Sequence, residues 1–432
     1  MNIAIAGFDR EGKSSYQYFL SRGNSLTILD QNEKTEVPEG ALAVLGANYL
    51  DNLDRFDLIL RTAGLPPRVI FAANPNLNSA KITTQVNEFF KACPTKNIIG
   101  VTGTKGKGTT STLIYRMLTE AGLDTHLAGN IGLPALEILP KLTTDSWVVL
   151  ELSSFQLIDF IGAPQVAVCL MVVPEHLNWH TDMAEYIEAK TQLFKHQTVG
   201  QVAIYFPKNE LSVAVSSVGY ATKLPYLEAP GAFVEGDAVV IDGTFICNTS
   251  ELKLLGTHNW QNVCAAVTAA WQATQNKVAI RNVLTSFTGL KHRLELVRTH
   301  NDVSYYDDSF GTTPETAIVA VAALPQPKIL ILGGSDKGAS YGVLATAVKL
   351  GEVRNVILIG EQAPRIRAAL QKAGYTDFVL GGQTMSNIVF SAQSLAQPGD
   401  AVILSTACAS FDMFENYEDR GDQFKSAVQA LA

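Results

Sequence analysis

The segment from Gly100 to Thr110, GVTGTKGKGTT, has the composition of a loop that grips phosphate. Successive glycines let backbone N–H groups turn toward an anion, a following helix adds partial positive charge at its N-terminus, and Lys107 can reach the β- and γ-phosphates of a nucleotide. Thr109 or Thr110 would offer a hydroxyl to Mg²⁺. The match to the pattern G-x-x-x-x-G-K-[ST] is imperfect, since Val101 stands where the first glycine belongs and Gly108 where Ser or Thr belongs. A plain glycine-rich turn is the alternative.

A nucleotide held with Mg²⁺ calls for a carboxylate at the end of a neighbouring strand. Glu151 ends the run Trp147-Val-Val-Leu-Glu151 and is placed where open α/β sheets keep their sites. An ordinary solvated Glu is the other reading. A second cluster, PEHLNWH at 174–180, sets Glu175, His176, Asn178 and His180 directly after another apolar run. Two histidines with Glu and Asn there suit a metal or a phosphate. Lys190, within AEYIEAKTQLF, reads on pattern alone as a solvated helix lysine.

These groups need strands and helices to aim them. Short apolar strands alternate with helical patterns along most of the chain, which predicts parallel sheets with crossover helices. The alternation starts three times. The first block has a strand at Asn2–Ala6, a helix from about Gly12 to Arg22 and a strand at Leu26–Leu29 with Asp30 at its tip; Gly7-Phe-Asp-Arg-Glu-Gly12 between them is a weak dinucleotide-type signal. Further strands are expected at Ala41–Leu45 and Leu58–Thr62. The second block runs from a strand at Asn97–Val101 through the phosphate loop to a helix from about Thr109 to Ala121, then to strands at Trp147–Leu152, Val166–Val173 and Val202–Phe206 and a helix at Asn259–Trp271. The third begins near Leu290, with strands at Leu294–Arg298, Val303–Asp307, Lys328–Leu332, Asn355–Ile359 and Ala401–Leu404.

Composition narrows the partners. A chain of 432 residues, 47% hydrophobic and 17% charged, excludes a disordered or fibrous protein and is long enough for two or three domains. The longest unbroken apolar stretch, Val166–Val173, is far short of the roughly 18 residues a membrane helix needs. Net charge −8 with no basic run gives nucleic acid no footprint. Five scattered cysteines without a C-x-x-C pair argue against a disulfide framework or a zinc knuckle. The opening MNIAIAGFDREGKSS lacks the apolar run of a signal peptide, so a cytoplasmic location is expected.

Taken in order, GTKGKGTT (103–110), GNIG (129–132), LELSSFQL (150–157), PEHLNWH with Lys190, GTHNWQN (256–262), GLKHRLE (289–295), DDSFGTTPET (307–316), GGSDKG (333–338) and STACASFDMFENYEDRGDQF (405–424) resemble the Mur ligases, ATP-dependent amide-forming enzymes of peptidoglycan and cell wall synthesis. The resemblance covers essentially the whole chain. It implies an α/β fold of three domains: a Rossmann-like domain at 1–90 for the uridine nucleotide, a central phosphate-loop ATPase domain at 91–289, and a Rossmann-like domain at 290–432 receiving an amino acid. LELSSFQL and the last segment look most like the members that join D-glutamate to UDP-N-acetylmuramoyl-L-alanine, which implies those two substrates; a monomer with no membrane or nucleic-acid partner is expected.

Residue by residue, the resemblance implies that Gly103, Thr104, Lys105, Gly106, Lys107, Gly108 and Thr109 hold ATP, and that Thr109, Glu151, His176 and Lys190 serve two Mg²⁺ sites. Lys190 matches a lysine that the family carbamylates, against its reading on pattern alone. Lys107, His176 and Lys190 would be the catalytic set. His258, Asn259, Asn262, Arg293 and Asp308 would meet the adenine nucleotide; Asp30, Thr62, Gly64 and Asn130 the UDP substrate; Thr312, Lys337, Ser410 and Tyr417 the glutamate. Three positions depart from the family pattern: Asn178 where Asp is common, Phe310 where a Lys often follows Asp-Ser, and Tyr417 where Phe is usual. Folylpolyglutamate synthase shares the loop type but lacks a separate uridine-nucleotide domain, so residues 1–90 and the tail count against it. Other Mur ligases with a different amino acid, or a nucleotide-binding regulator without activity, are the remaining rivals.

Overall fold

The computed structural model describes residues 1–254, 259–336 and 338–431. By internal contacts the chain forms two compact units, Met1–Phe287 and Thr288–Ala432.

The first unit carries two parallel sheets. Strands β1 (Asn2–Ala6), β2 (Ser25–Asp30), β3 (Leu42–Leu45), β4 (Leu58–Arg61) and β5 (Ile82–Thr84) lie in the order β3-β2-β1-β4-β5. The order reverses beside β1, and such a switch point opens a crevice at the carboxyl ends of the strands. The second sheet, β6 (Ile98–Thr102), β7 (Thr125–Gly129), β8 (Trp147–Glu151), β9 (Val166–Cys169), β10 (Val202–Tyr205) and β11 (Thr222–Pro225), has the order β11-β10-β9-β6-β8-β7. Its central strands are sequences such as IIGVT and VVLE with both faces covered, so they are apolar throughout rather than alternating. The segment 233–248 forms a small antiparallel sheet of β12 (Phe233–Glu235), β13 (Ala238–Ile241) and β14 (Thr244–Asn248).

The apolar run Val166–Val173 was expected to be one strand, but the strand ends at Cys169. Beyond it the chain leaves the sheet to bind the phosphate loop: Thr104 N donates to Met171 O (2.8 Å), and the Thr104 hydroxyl to Val173 O (3.0 Å).

Arg61 pins the two sheets of this unit together. It is wholly buried at the end of β4 and clasps Asp159 in a two-pronged ion pair, Nε to Oδ2 at 2.9 Å and Nη2 to Oδ1 at 2.7 Å, while donating to the carbonyls of Thr62, Leu65 and Phe155. Removing one partner of such a pair leaves a desolvated charge. Asp159→Ala is therefore expected to destabilise the protein by about 3 kcal/mol, at the low end of the range because the carboxylate is partly solvated. A chemical denaturation midpoint unchanged from wild type would refute this.

The second unit is built on β15 (Glu295–His300), β16 (Val303–Asp307), β17 (Lys328–Gly333), β18 (Val353–Ile359), β19 (Phe378–Leu380) and β20 (Ala401–Leu404), ordered β15-β16-β20-β17-β18-β19. Only the edge strand β15 is antiparallel to its neighbour among the described residues. Apolar clusters on both faces, one around Leu330, Leu332 and Leu344 and one around Ile329, Ile331 and Phe424, bury the sheet between helices.

Candidate active site

In the first unit, β6 ends at Thr102 and the helix Lys107–Glu120 begins five residues later, so residues 103–106 form a tight turn over the helix N-terminus. Gly106 has φ +88°, and a Cβ there would sit 2.1 Å from Oδ1 of Asn262. Asn262 in turn accepts from Thr110 Oγ1 (3.5 Å) and donates to Asn259 Oδ1 (2.8 Å), which brings both predicted asparagines to the loop. Gly108 and Thr109 are buried in the first helical turn, where the amides have no carbonyl of their own helix to bond. Lys105 is exposed and ion-pairs with Glu175. The turn is a cradle that only glycine leaves open, which fits an anion held by backbone N–H groups.

Two lysines converge on this turn. Lys107 Nζ donates to Gly103 O (3.2 Å) and Thr104 O (3.1 Å), and Lys190 Nζ donates to the same Gly103 O (3.0 Å). Lys190 is 1% exposed and lies over the Tyr186 ring. Burial first, and the nearby Lys107 second, lower its pKa from 10.5 to about 7. The reading of Lys190 as a solvated helix lysine is thus overturned by tertiary packing.

Glu151 closes β8, next to β6 in the sheet, and is nearly buried. Its Oε1 accepts from Asn130 Nδ2 (2.9 Å), so a predicted metal ligand and a predicted substrate contact meet. His176 is exposed, with φ +60°, and packs edge-on against Phe155. Desolvation, with Lys107, Lys190 and Lys105, lowers its pKa against the opposing pull of Glu175, which favours the neutral ring at neutral pH. The Glu151 carboxylate and the Thr109 hydroxyl are oxygen donors of the kind a hard divalent cation takes, to which a neutral His176 would add a nitrogen. His180 is a different matter: its Nε2 meets Ser154 Oγ (2.9 Å) and its Nδ1 meets Glu185 (3.1 Å), so both nitrogens are used within the protein. Its place in the PEHLNWH cluster is structural, tying the Glu151 segment to the helix Met183–Lys195 that carries Lys190.

The predicted uridine-nucleotide residues gather at the carboxyl ends of the first sheet. Asp30 accepts from Phe8 N (2.7 Å), Thr62 packs its hydroxyl on Ala6 O (3.1 Å), and Gly64 O accepts from Trp179 Nε1 (3.1 Å). The Gly7 to Gly12 spacing has a packing cause: a Cβ on Gly12 would lie 2.0 Å from Gly7 O.

In the second unit, Arg293 lies 4.2 Å over the Phe310 ring, which meets Tyr417 edge-on at 5.2 Å. The position expected to hold a lysine thus supports an arginine instead. Asp308 accepts from Ser405 Oγ (2.6 Å) and Leu294 N (3.1 Å), and burial raises its pKa to about 6. Thr312 is half-buried just before the helix Pro314–Ala323, and Ser410 is buried after β20. Lys337 and His258 lie outside the described residues. Among the described residues one His/carboxylate triangle is tight enough for a metal, His292, Glu295 and Asp307, and the Lys425 ammonium already sits in it, 2.6 Å from Glu295.

Residues 101–270 match the Mur ligase middle domain and residues 292–408 the Mur ligase glutamate ligase domain. The UDP-N-acetylmuramoylalanine–D-glutamate ligase of Symbiobacterium thermophilum is 36% identical over 99% of this chain and 98% of its own length. The chain belongs to the Mur ligase family. The enzyme of the same name from Clostridium kluyveri is 35% identical over 99% of this chain and 96% of its own. The Mur ligase fold is seen in UDP-N-acetylmuramate-alanine ligase MurC of Thermotoga maritima, with TM-score 0.61 and 16% identity over 100% of this chain and 99% of that one. MurF ligase of the same organism, solved with ADP, has TM-score 0.58 at 15% identity, covering 100% and 95%. The loop 103–109 falls within the middle-domain match, and Arg293, Asp308 and Phe310 within the glutamate ligase domain match.

Proposed function

We propose that this Mur ligase joins D-glutamate to UDP-N-acetylmuramoyl-L-alanine at the expense of ATP. The substrate carboxylate attacks the γ-phosphorus, ADP leaves, and the resulting acyl phosphate is attacked by the glutamate amine, which expels inorganic phosphate and forms the amide. The observation that carries the phosphoryl-transfer half is the convergence of Lys107 and buried Lys190 on Gly103 O beside Glu151. Two anions must meet, and the fixed charge of Lys107, together with Mg²⁺, would stabilise the charge that spreads over the transferring group in a water-poor site. The choice of substrates rests on the names of the full-length relatives.

Thr109, Glu151, His176 and a carbamylated Lys190 would hold Mg²⁺, which would supply charge neutralisation and a template for the phosphates. We read the first unit as two domains, 1–90 for the uridine nucleotide through Asp30, Thr62 and Gly64, and 91–289 for ATP, with Asn130 on the muramoyl group. Residues 290–432 would receive the amino acid through Thr312, Lys337, Ser410 and Tyr417. No helix among the described residues is long and apolar enough to cross a membrane.

The test is phosphate release from Mg-ATP and UDP-N-acetylmuramoyl-L-alanine with D-glutamate, L-glutamate, glycine, L-lysine or diaminopimelate. Release is expected with D-glutamate alone. Release with another amino acid alone would reassign the third domain, and none with any would return the regulator reading.

A further inference from the structure

We propose that Arg420 is a positioning residue that holds the amino-acid end of the second unit in working order, a role that rests on the reading of residues 290–432 as that end. Arg420 is fully buried in the first turn of the helix Tyr417–Gln429. A cation there opposes the helix dipole, and no carboxylate lies within ion-pair distance of it among the described residues. Burial lowers its pKa to about 10, which still leaves it charged at neutral pH. Asp307, Asp412 and Asp308 act on it only beyond ion-pair distance, so the desolvated guanidinium is costly for the fold and its hydrogen bonds are what it has to offer in return.

What it fixes is a junction of three segments. Nε donates to Ser309 Oγ (2.8 Å) and Nη2 to Ser309 O (2.8 Å), on the loop after β16. Nη1 donates to Cys408 O (3.2 Å), on the loop after the neighbouring strand β20. Ser309 Oγ passes the connection on, donating to Tyr417 O (2.8 Å). These segments carry Phe310 and Thr312, Ser410, and Tyr417 respectively. Asp308 is tied separately, by Ser405 Oγ and Leu294 N, so its placement does not run through the guanidinium. Only a planar fork reaches two loops at once; an ammonium is a point donor.

The full-length protein is tested as Arg420→Lys and as Ser309→Ala, the latter a mild change that removes the hydroxyl relay while leaving Ser309 O. With wild type run in parallel on whichever amino acid it uses, Arg420→Lys is expected to raise the KM for that amino acid about tenfold, with the KM for ATP within twofold, and Ser309→Ala to move it severalfold in the same direction. Hydrogen exchange, which needs no activity, is expected to quicken in 308–313 and 405–417 together and to stay unchanged in 103–110. An amino-acid KM within twofold of wild type in both variants, an equal rise in both KM values, or unchanged exchange in the two loops would overturn the proposal. Absence of activity in the wild type would sink the ligase reading while exchange still decides the role of Arg420.

Discussion

Lys107→Ala should lower the ligation rate by on the order of a thousandfold, the equivalent of about 4 kcal/mol of transition-state stabilisation. The side chain leaves the first residue of the helix Lys107–Glu120 and folds back over the turn, with its ammonium on Gly103 O and Thr104 O. Those carbonyls hold it over the glycine turn, where on the proposed reading charge would develop on the transferring phosphoryl. Its contribution is expected to be larger in the transition state than in bound ATP, because charge is redistributed over the transferring phosphoryl as the reaction proceeds. Most of the loss is therefore expected in kcat rather than in KM for ATP. Lys107→Arg should not rescue, since a planar fork replaces a compact charge in a turn closed by Asn262. The side chain is only half-buried and the helix begins without its help, so thermal stability should hold. A Lys107→Ala protein that ligates at near wild-type rate would remove Lys107 from the chemistry.

The parts legible in the sequence were those whose causes are local. The strand, glycine turn and helix around 98–120 declare themselves because they follow one another closely in sequence, and the acid at the tip of β2 and Glu151 at the end of β8 are read from strand ends in the same way. Arg420 shows nothing of its role in sequence, because Ser309 is 111 residues away, and the Arg61–Asp159 pair spans 98. His180 looked like a ligand because composition lists the histidines but not Ser154 and Glu185, which occupy both its nitrogens. The strand expected over Val166–Val173 failed for a related reason: hydrophobicity marks burial, and Leu170 and Val172 are buried while the carbonyls of Met171 and Val173 accept from Thr104 instead of continuing the sheet. The departure at Phe310 was visible in the sequence, but its consequence, a ring under Arg293, was not.

Lys190 carries the second large effect, and the argument runs through its proton. Eighty-seven residues separate it from Gly103, and folding leaves it 1% exposed with a pKa lowered to about 7 by burial and then by Lys107. Unfolded, the same amine keeps its proton up to about 10.5, so between these values the unfolded chain binds more protons and this group makes the fold more stable as pH rises. In the folded protein near pH 8 the amine is mostly neutral and nucleophilic. Its nitrogen can attack the carbon of CO₂, losing a proton and turning a group that would repel Lys107 into a carboxylate-like anion that attracts it. Protein freed of CO₂ is then expected to lose activity and regain it with added bicarbonate, and intact mass should show the gain of one CO₂. Lys190→Ala should lose about a hundredfold or more in kcat, with a raised requirement for Mg²⁺ and no response to bicarbonate. Activity indifferent to CO₂ in the wild type would return Lys190 to the role of a buried amine on Gly103 O, and a variant within threefold of wild type would take it out of the site altogether.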